Sequence, residues 1–330
     1  MSELRLNLVT REWVIIATER LKRPAEFRRS EDRPAILPFN GACPFCPGNE
    51  FKTAKELFRI EEGGKWKVRV VSNRYPAVAR EGERKRTTDR TKRMVAGVGL
   101  HEIIIESPRH DAHTAAMDPG RVEDIIRIYR DRFTEAHRDP RVEHVIIFKN
   151  RGEAAGTTIE QPITQMIAAP VVPLRFRDRV QAAMHYFDDT GECMMCDILR
   201  MEMTEGARVI MDTEHFLTFI PYAALSPFHT WIFPKRHSAS FADIRDEEIK
   251  EAALHLRTVL SKLSTGLEDP DYNYSIRSSR PQDTGNPYSH WYLSLVPRVA
   301  KAAGFELGSG MFMNAGLPEE MAAYLKSIRA

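Results

Sequence analysis

All four cysteines of the chain lie in two C-x-x-C pairs, CPFC (Cys43, Cys46) and CMMC (Cys193, Cys196). A turn of this kind offers two thiolates from one loop, half of a tetrahedral zinc set. In a reducing compartment it points to metal or redox chemistry rather than to structural disulfides. Two distant histidines complete the second pair, giving Cys193, Cys196, His237 and His290, a Cys₂His₂ set suited to structural zinc. The first pair has Cys43, Cys46 and His110, but Gln161 stands where the fourth ligand would be. An amide oxygen is a poor zinc ligand beside thiolates, so Glu160, a water or nothing would complete that set. In each half the plainer alternative is a reduced pair of core thiols. A redox dithiol is disfavoured because neither pair opens a helix in a βαβ unit.

The ligand spacing reflects a diverged repeat. His110 and Asp139 are 29 positions apart, and His237 and Asp269 are 32 apart; Asp139 and Gln161 are 22 apart, and Asp269 and His290 are 21 apart. The landmarks pair as Cys43/Cys46 with Cys193/Cys196, His110 with His237, and Gln161 with His290. The elements between them follow one plan. A strand (EIIIESPRH, TWIFPKRH) runs to the histidine, and a helix with apolar residues at helical spacing follows (GRVEDIIRIYRDRFTEA, DEEIKEAALHLRTVLSKL). An Asp-Pro step, a strand (VEHVIIFKN, YNYSIRSS), a turn and a last strand (ITQMIAA, HWYLSLVP) complete each copy. Hairpins rather than βαβ crossovers make this an α+β fold of two tandem halves, antiparallel sheets packed with helices. The expected division is 1–170 and 193–330, with a partly helical link over 171–192.

With 330 residues, two domains or two fused halves is the starting expectation. Lys+Arg 48 against Asp+Glu 46 gives no overall attraction to nucleic acid or an anionic membrane. No apolar run reaches the ~18 residues of a membrane span, and the N-terminus lacks the apolar core of a signal peptide. A cytoplasmic location is the default. The basic run Arg80–Arg93 reads as a solvated, mobile loop, with recruitment of an anionic substrate as the lesser reading.

A further stretch, GTTIEQPITQ (Gly156–Gln165), has the form of a phosphate-binding turn entering a strand. Glycine lets backbone N–H groups approach phosphate oxygens, and hydroxyls add donors. Together with TREWVIIATERLKRP (Thr10–Pro24), CPFCPGNE, RVVSNRYPAV, IIIESPRH, FKNRGEAAGTT, PFHTWIFPKRH, PYSHWYLSLVP and GFELGSG, it makes the chain resemble the galactose-1-phosphate uridylyltransferase family of the histidine-triad superfamily. The branch it is most similar to is that of the ADP-glucose phosphorylase-like adenylyltransferases. The resemblance spans nearly the whole chain. It implies two histidine-triad-like halves in one extended sheet, a homodimer as a common assembly, and zinc at the C-x-x-C and histidine sets. It also implies transfer of a nucleoside monophosphate through a covalent nucleotidyl-histidine.

The resemblance implies site roles residue by residue. Asn73 would contact the nucleotide, with Arg74 beside it, and Asn150 would lie near the α-phosphate. Gly156, Thr157 and Thr158 would form the phosphate turn, and Gln165 would steady the transferred phosphoryl group. Phe305 and Glu306 would line the acceptor-sugar pocket. One departure is chemical. The family's His-Pro-His-x-Gln is Gln161-Pro162-Ile163-Thr164-Gln165 here, so Ile163 occupies the nucleophile position. An isoleucine has no lone pair to give, which excludes a covalent intermediate at 163. Tyr292, its repeat counterpart, is a phenol and a weak nucleophile unless activated. His101 has no ligand role in the repeat, and His229 stands where relatives often carry an acid. The expected activity is nucleotidyl transfer or phosphorolysis on a nucleotide or nucleotide sugar without the covalent step. The alternative is an inactive nucleotide-binding member.

Overall fold

The computed structural model describes residues 2–29, 33 and 35–329. The chain opens with a hairpin of β1 (Glu3–Leu6) and β2 (Trp13–Ile16). It continues through β3 (Glu56–Glu62), β4 (Lys65–Ser72), an outlying hairpin of β5 (Arg86–Asp89) and β6 (Lys92–Val95), and β7 (Leu100–Ile105). Helix α1 (Pro119–Ala136), β8 (His144–Arg151) and β9 (Ile163–Ala169) follow. Next come α2 (Leu174–Thr190), α3 (Met194–Glu205), β10 (Val209–Asp212), β11 (Phe216–Phe219) and β12 (Thr230–Pro234). The rest is α4 (Asp246–Leu267), β13 (Tyr272–Arg277), β14 (Tyr292–Pro297), α5 (Gly304–Ser309), β15 (Phe312–Asn314) and α6 (Pro318–Ser327).

Ten strands form one sheet in the order β10-β11-β12-β14-β13-β8-β9-β7-β4-β3. Outward from β8 the first half reads β8-β9-β7-β4-β3, and outward from β13 the second reads β13-β14-β12-β11-β10. The two orders match strand for strand. The halves meet where β8 and β13 pair antiparallel, with Asn150 opposite Asn273. The register also carries the repeat. Gln165 lies opposite Ile103 and Phe148, while Ser294, its counterpart, lies opposite Trp231 and Ser275.

Alternation along the strands sorts the side chains to two faces. On one face Val70, Ile104, Ile147, Met166, Ile232 and Leu293 join a core with α1 and α4. In α1 the buried residues Val122, Ile125, Ile126, Tyr129 and Phe133 recur at helical spacing. The helix starts where Asp118 Oδ1 accepts the Gly120 N–H at 2.9 Å, with Pro119 at its first position. Each fully buried Ile, Leu or Phe on this face contributes about 1.5–3 kcal/mol. The opposite face carries a smaller cluster in each half. Val71, Ile103, Ile105 and Ile163 pack with Cys43 and Cys46. Leu217, Phe219, Trp231, Phe233 and Tyr292 pack under Met194, Met195 and Leu199.

A buried polar group sits at the joint. Glu106 is paired with Lys149, and it accepts hydrogen bonds from Tyr129 Oη (2.8 Å) and Thr164 Oγ1 (2.6 Å). The Tyr129 and Tyr274 hydroxyls meet at 2.7 Å and connect the two halves.

Some expected elements differ. The strand before each histidine is shorter: β7 stops at Ile105 and β12 at Pro234, so His110 and His237 stand in the turns beyond. Strands β3, β4, β10 and β11 were not expected; short loops and register shifts at β3 and β10 blur their alternation. The basic run is solvent-exposed but forms the β5–β6 hairpin rather than an irregular loop. The second C-x-x-C does open a helix, since Cys193 is the N-cap of α3, but every pairing in the ten-stranded sheet is antiparallel, so there is no βαβ unit. Residues 174–190 are helical throughout and pack through Ala183 and Tyr186 onto the second-half cluster. Among the described residues no helix is long and apolar enough to cross a membrane.

Candidate active site and metal centres

In the second half the ligand atoms of Cys193, Cys196, His237 and His290 lie within 4.8 Å of one another. Cys196 Sγ is 3.4 Å from His237 Nδ1 and 3.6 Å from His290 Nδ1. Sulfur and nitrogen ligands at tetrahedral angles, with bonds of ~2.3 and ~2.0 Å, stand roughly 3.5 Å apart. Each imidazole turns Nε2 to a backbone carbonyl, His237 to Asn286 O (3.0 Å) and His290 to Pro234 O (2.9 Å). A carbonyl only accepts, so in a neutral ring Nε2 carries the hydrogen and Nδ1 keeps its lone pair toward the thiols. The cysteines titrate as a pair. Hydrogen bonding from Cys196, helped by the imidazoles and opposed by burial, pulls the Cys193 thiol down to about 2, while Cys196 is pushed up. These residues fit a tetrahedral zinc ion.

The first-half cluster has three such ligands, Cys43, Cys46 and His110. Gln161 fills the fourth corner: its Oε1 is 3.5 Å from Cys46 Sγ and 4.0 Å from Cys43 Sγ. The amide orientation is fixed because Gln161 Nε2 donates to Ser107 O at 2.5 Å. His110 Nδ1 is 2.9 Å from Gln161 Oε1, a hydrogen-bond separation and shorter than two ligands on one ion would adopt. His110 Nε2 is 2.9 Å from the carboxylate of Glu160. Both ring nitrogens therefore face acceptors. This set fits a metal less well than the second-half set.

Beside the first-half cluster opens a cavity of about 640 Å³. Asn73, Arg74, Thr158, Ile163 and Gln165 line it, as do Cys43, His110 and Glu160. Strand β9 points Ile163 and Gln165 to the same face, two residues apart. Ile163 is buried against Ile103, Ile105 and Phe45. Gln165 Oε1 is 2.9 Å from His101 Nε2. His101 Nδ1 accepts the Ala77 N–H at 3.0 Å, so in the neutral ring the hydrogen is on Nε2 and is donated to Gln165. That leaves the Gln165 Nε2 hydrogens free to donate into the cavity. Asn73 caps a turn through Oδ1, which accepts the Tyr75 N–H at 2.8 Å, and its own backbone N–H donates to His101 O at 2.8 Å. His101 therefore holds both Asn73 and Gln165. Sequence reasoning gave it no role, although the repeat register supplies a signal: it sits 128 positions before His229, whose Nε2 lies 2.8 Å from Ser294 Oγ.

The other expected site residues lie outside this cavity. Asn150 accepts from Asn273 Nδ2 at 2.8 Å across the joint. Gly156 has φ +89°, a left-handed turn position, and its N–H donates to Glu153 O; the Thr157 N–H donates to Gly152 O. A Cβ at Gly152 would stand 2.0 Å from Asp271 Oδ1, so that turn also needs glycine for space. Phe305 and Glu306 are on α5, and Glu306 accepts the Ala303 N–H at the start of that helix.

The chain matches two family models: galactose-1-phosphate uridyl transferase, N-terminal domain, over residues 1–239, and the corresponding C-terminal domain over residues 179–308. It is 36% identical to ADP-glucose phosphorylase of Arabidopsis thaliana, covering 99% of this chain and 93% of that protein. It is 26% identical to galactose-1-phosphate uridylyltransferase of Thermotoga maritima, covering 99% and 98%. The crystal structure of the Arabidopsis thaliana ADP-glucose phosphorylase with bound ADP-glucose superposes with a TM-score of 0.84 at 34% identity over all of both chains. The duplicated sheet, the paired cysteine-histidine clusters and these matches agree: the chain is a member of the galactose-1-phosphate uridylyltransferase family.

Proposed function

We propose that the first-half cavity carries out nucleotidyl transfer or phosphorolysis on a nucleoside-diphosphate sugar or similar nucleotide anhydride, with direct attack by the acceptor. The family supports the reaction class, and the relative that holds ADP-glucose supports an adenine nucleotide sugar. The observation that carries the direct route is the cavity wall. Ile163 lines it at the position where the family resemblance puts the nucleophile, and the two nearby imidazoles, His101 and His110, have both ring nitrogens engaged.

In this route an oxygen of the acceptor phosphate bonds to the α-phosphorus. The bond from that phosphorus to the bridging oxygen breaks, and its electron pair leaves with the sugar phosphate. Such transfer depends mainly on positioning and charge stabilisation. Gln165, held by His101, offers two N–H donors to the transferred phosphoryl group. Asn73, Arg74 and Thr158 bind the nucleotide from the cavity wall. For Asn150, Gly156, Thr157, Phe305 and Glu306 the support is the family resemblance. Cys193, Cys196, His237 and His290 would hold zinc, which would tie α3 and the turns before β14 to the sheet. The Cys43, Cys46 and His110 set, with Gln161 at its fourth corner, is the weaker site.

The test is phosphorolysis of ADP-glucose chirally labelled at the α-phosphorus. One displacement gives inversion. Retention, or a trapped nucleotidyl-protein adduct, would sink the direct route. A second reading, a nucleotide-sugar-binding protein without turnover, is favoured by the joint replacement of both histidines by Gln161 and Ile163. Binding without turnover, together with activity that appears only in Ile163→His, would establish it.

A further inference from the structure

The second half has its own cavity, of about 290 Å³, at the place equivalent to the first. Trp231, Tyr292 and Ser294 line it where their counterparts Ile103, Ile163 and Gln165 line the first. Its charge is different. Arg175, Arg179, Arg277, Arg298 and Lys301 all contribute to its lining, against two carboxylates, Glu12 and Glu306.

The donors around it lack acceptors. The Nε atoms of Arg179 and Arg277 and the hydroxyl of Ser226 are buried without a hydrogen-bond partner. His229 is 4% exposed, and its Nδ1 is unpartnered as well. The identity of that nitrogen follows from its neighbours. Trp231 Nε1–H can only donate, and it is 3.1 Å from His229 Nε2. Nε2 must therefore accept, so in the neutral ring the hydrogen is on Nδ1. Burial, with Arg179 and Arg277 adding to it, pushes the imidazole down to about 3, so it is neutral at physiological pH. Arg277 is likewise pushed down, by burial and then by Arg179 and Arg175. A set of mutually repelling guanidiniums around unpartnered N–H donors is unfavourable until an anion supplies charge and acceptors.

We propose that this cavity is a second ligand site, which binds a phosphate dianion, either inorganic phosphate or the phosphate of a monoester, between Arg179, Arg277 and His229. The inference is independent of the reading of the first-half cavity. The dianion takes charge-assisted hydrogen bonds from the guanidiniums, and the His229 Nδ1–H supplies a neutral donor. The cavity is larger than inorganic phosphate alone. Trp231 and Tyr292 give an apolar wall for a group attached to it, and Glu12 Oε2, also buried and unpartnered, is an acceptor for a hydroxyl.

Calorimetric titration of the full-length protein tests this, with inorganic phosphate in one arm and glucose 1-phosphate in the other. Wild type and Arg179→Gln/Arg277→Gln are compared, each also in a Gln165→Ala background that weakens the first-half cavity. The expected result is a site that persists in Gln165→Ala and whose affinity falls at least tenfold in the double arginine variant. Binding in both arms identifies the phosphate group itself as the recognised element. Binding of the ester alone identifies a monoester site. A folding control has a definite sign: without ligand the double variant melts at the wild-type temperature or above it, because repulsion has been removed. In the Gln165→Ala background the ligand that binds then raises the melting temperature with both arginines present and not in the double arginine variant. Equal affinity in wild type and variant, or no second site in either arm at saturating ligand, would overturn the proposal.

Discussion

The two halves place an imidazole at the same point of the same strand plan and then diverge. In the first, His101 holds Gln165 beside Ile163, in a wide cavity lined mainly by neutral side chains. In the second, His229 holds Ser294 near Tyr292, in a smaller cavity crowded with guanidiniums. The clusters differ in the opposite sense. The second half has two cysteines and two histidines, whereas the first has Gln161 at the corner that His290 fills in the second. Backbone register outlasts side-chain chemistry in a duplication because a one-residue slip would turn every core side chain to the wrong face. A side chain at a cavity wall is under no such constraint.

The largest expected effect tests the contrast between clusters. Cys193→Ser should lose one bound metal per chain and a large part of a total stability of roughly 5–15 kcal/mol. Cys43→Ser should cost far less. Elemental analysis with thermal melts checks this, and equal losses would erase the contrast. Next is the joint. Lys149→Met leaves Glu106 buried without its cation, which costs about 3–5 kcal/mol. At present burial raises the Glu106 carboxyl, and Lys149 outweighs it, holding the group below its usual range. Both halves should still melt in one transition; two transitions would show that they fold separately.

A third comparison concerns the two held side chains. Gln165→Ala should lower kcat by roughly 10²–10³ with little change in stability, as for loss of one preorganised donor. Ser294→Ala should leave turnover alone, and the ratio of the two kcat values is the readout. The smallest effect is shared between the halves. Burial pushes His137 and His144 in the first half, and His255 in the second, down to about 4. A group whose folded value lies below its unfolded value of ~6.5 binds more protons when unfolded, so stability falls as pH drops from ~6.5 toward ~4. Each imidazole should cost on the order of 1 kcal/mol by about pH 5.5. A melting temperature flat from neutral pH to that point would mean the rings are hydrated.

Much of this could be read in the residues, for reasons the structure makes plain. Cys193, Cys196, His237 and His290 were legible because ligand chemistry limits the residue types and the repeat fixes their spacing. Helices α1 and α4 were legible because their buried residues recur every three or four positions. Strands β4 and β11 were hidden because they are buried on both faces: Val68, Val70 and Val71, and all four residues of β11, are covered, so alternation disappears. His101 was hidden because its partners, Asn73 and Gln165, are 28 and 64 residues away along the chain. The guanidinium cluster was hidden for the same reason. Arg175 and Arg179 come from α2 and Arg277 from the end of β13.

The three-stranded sheet that β15 makes with the β1–β2 hairpin has a consequence for synthesis. Strand β15 runs parallel to β2, with Phe312 beside Val14 and Asn314 beside Ile16. Arg5 also reaches Glu319 at 2.9 Å. On a ribosome adding ~5–20 residues per second, the first hairpin waits on the order of 15–60 s for these partners. The second-half cavity is walled by both Glu12 and Phe312, so it closes only after the chain has been made past Phe312. A stalled or clipped nascent chain could build the first-half cavity, but its second-half cavity would lack a wall.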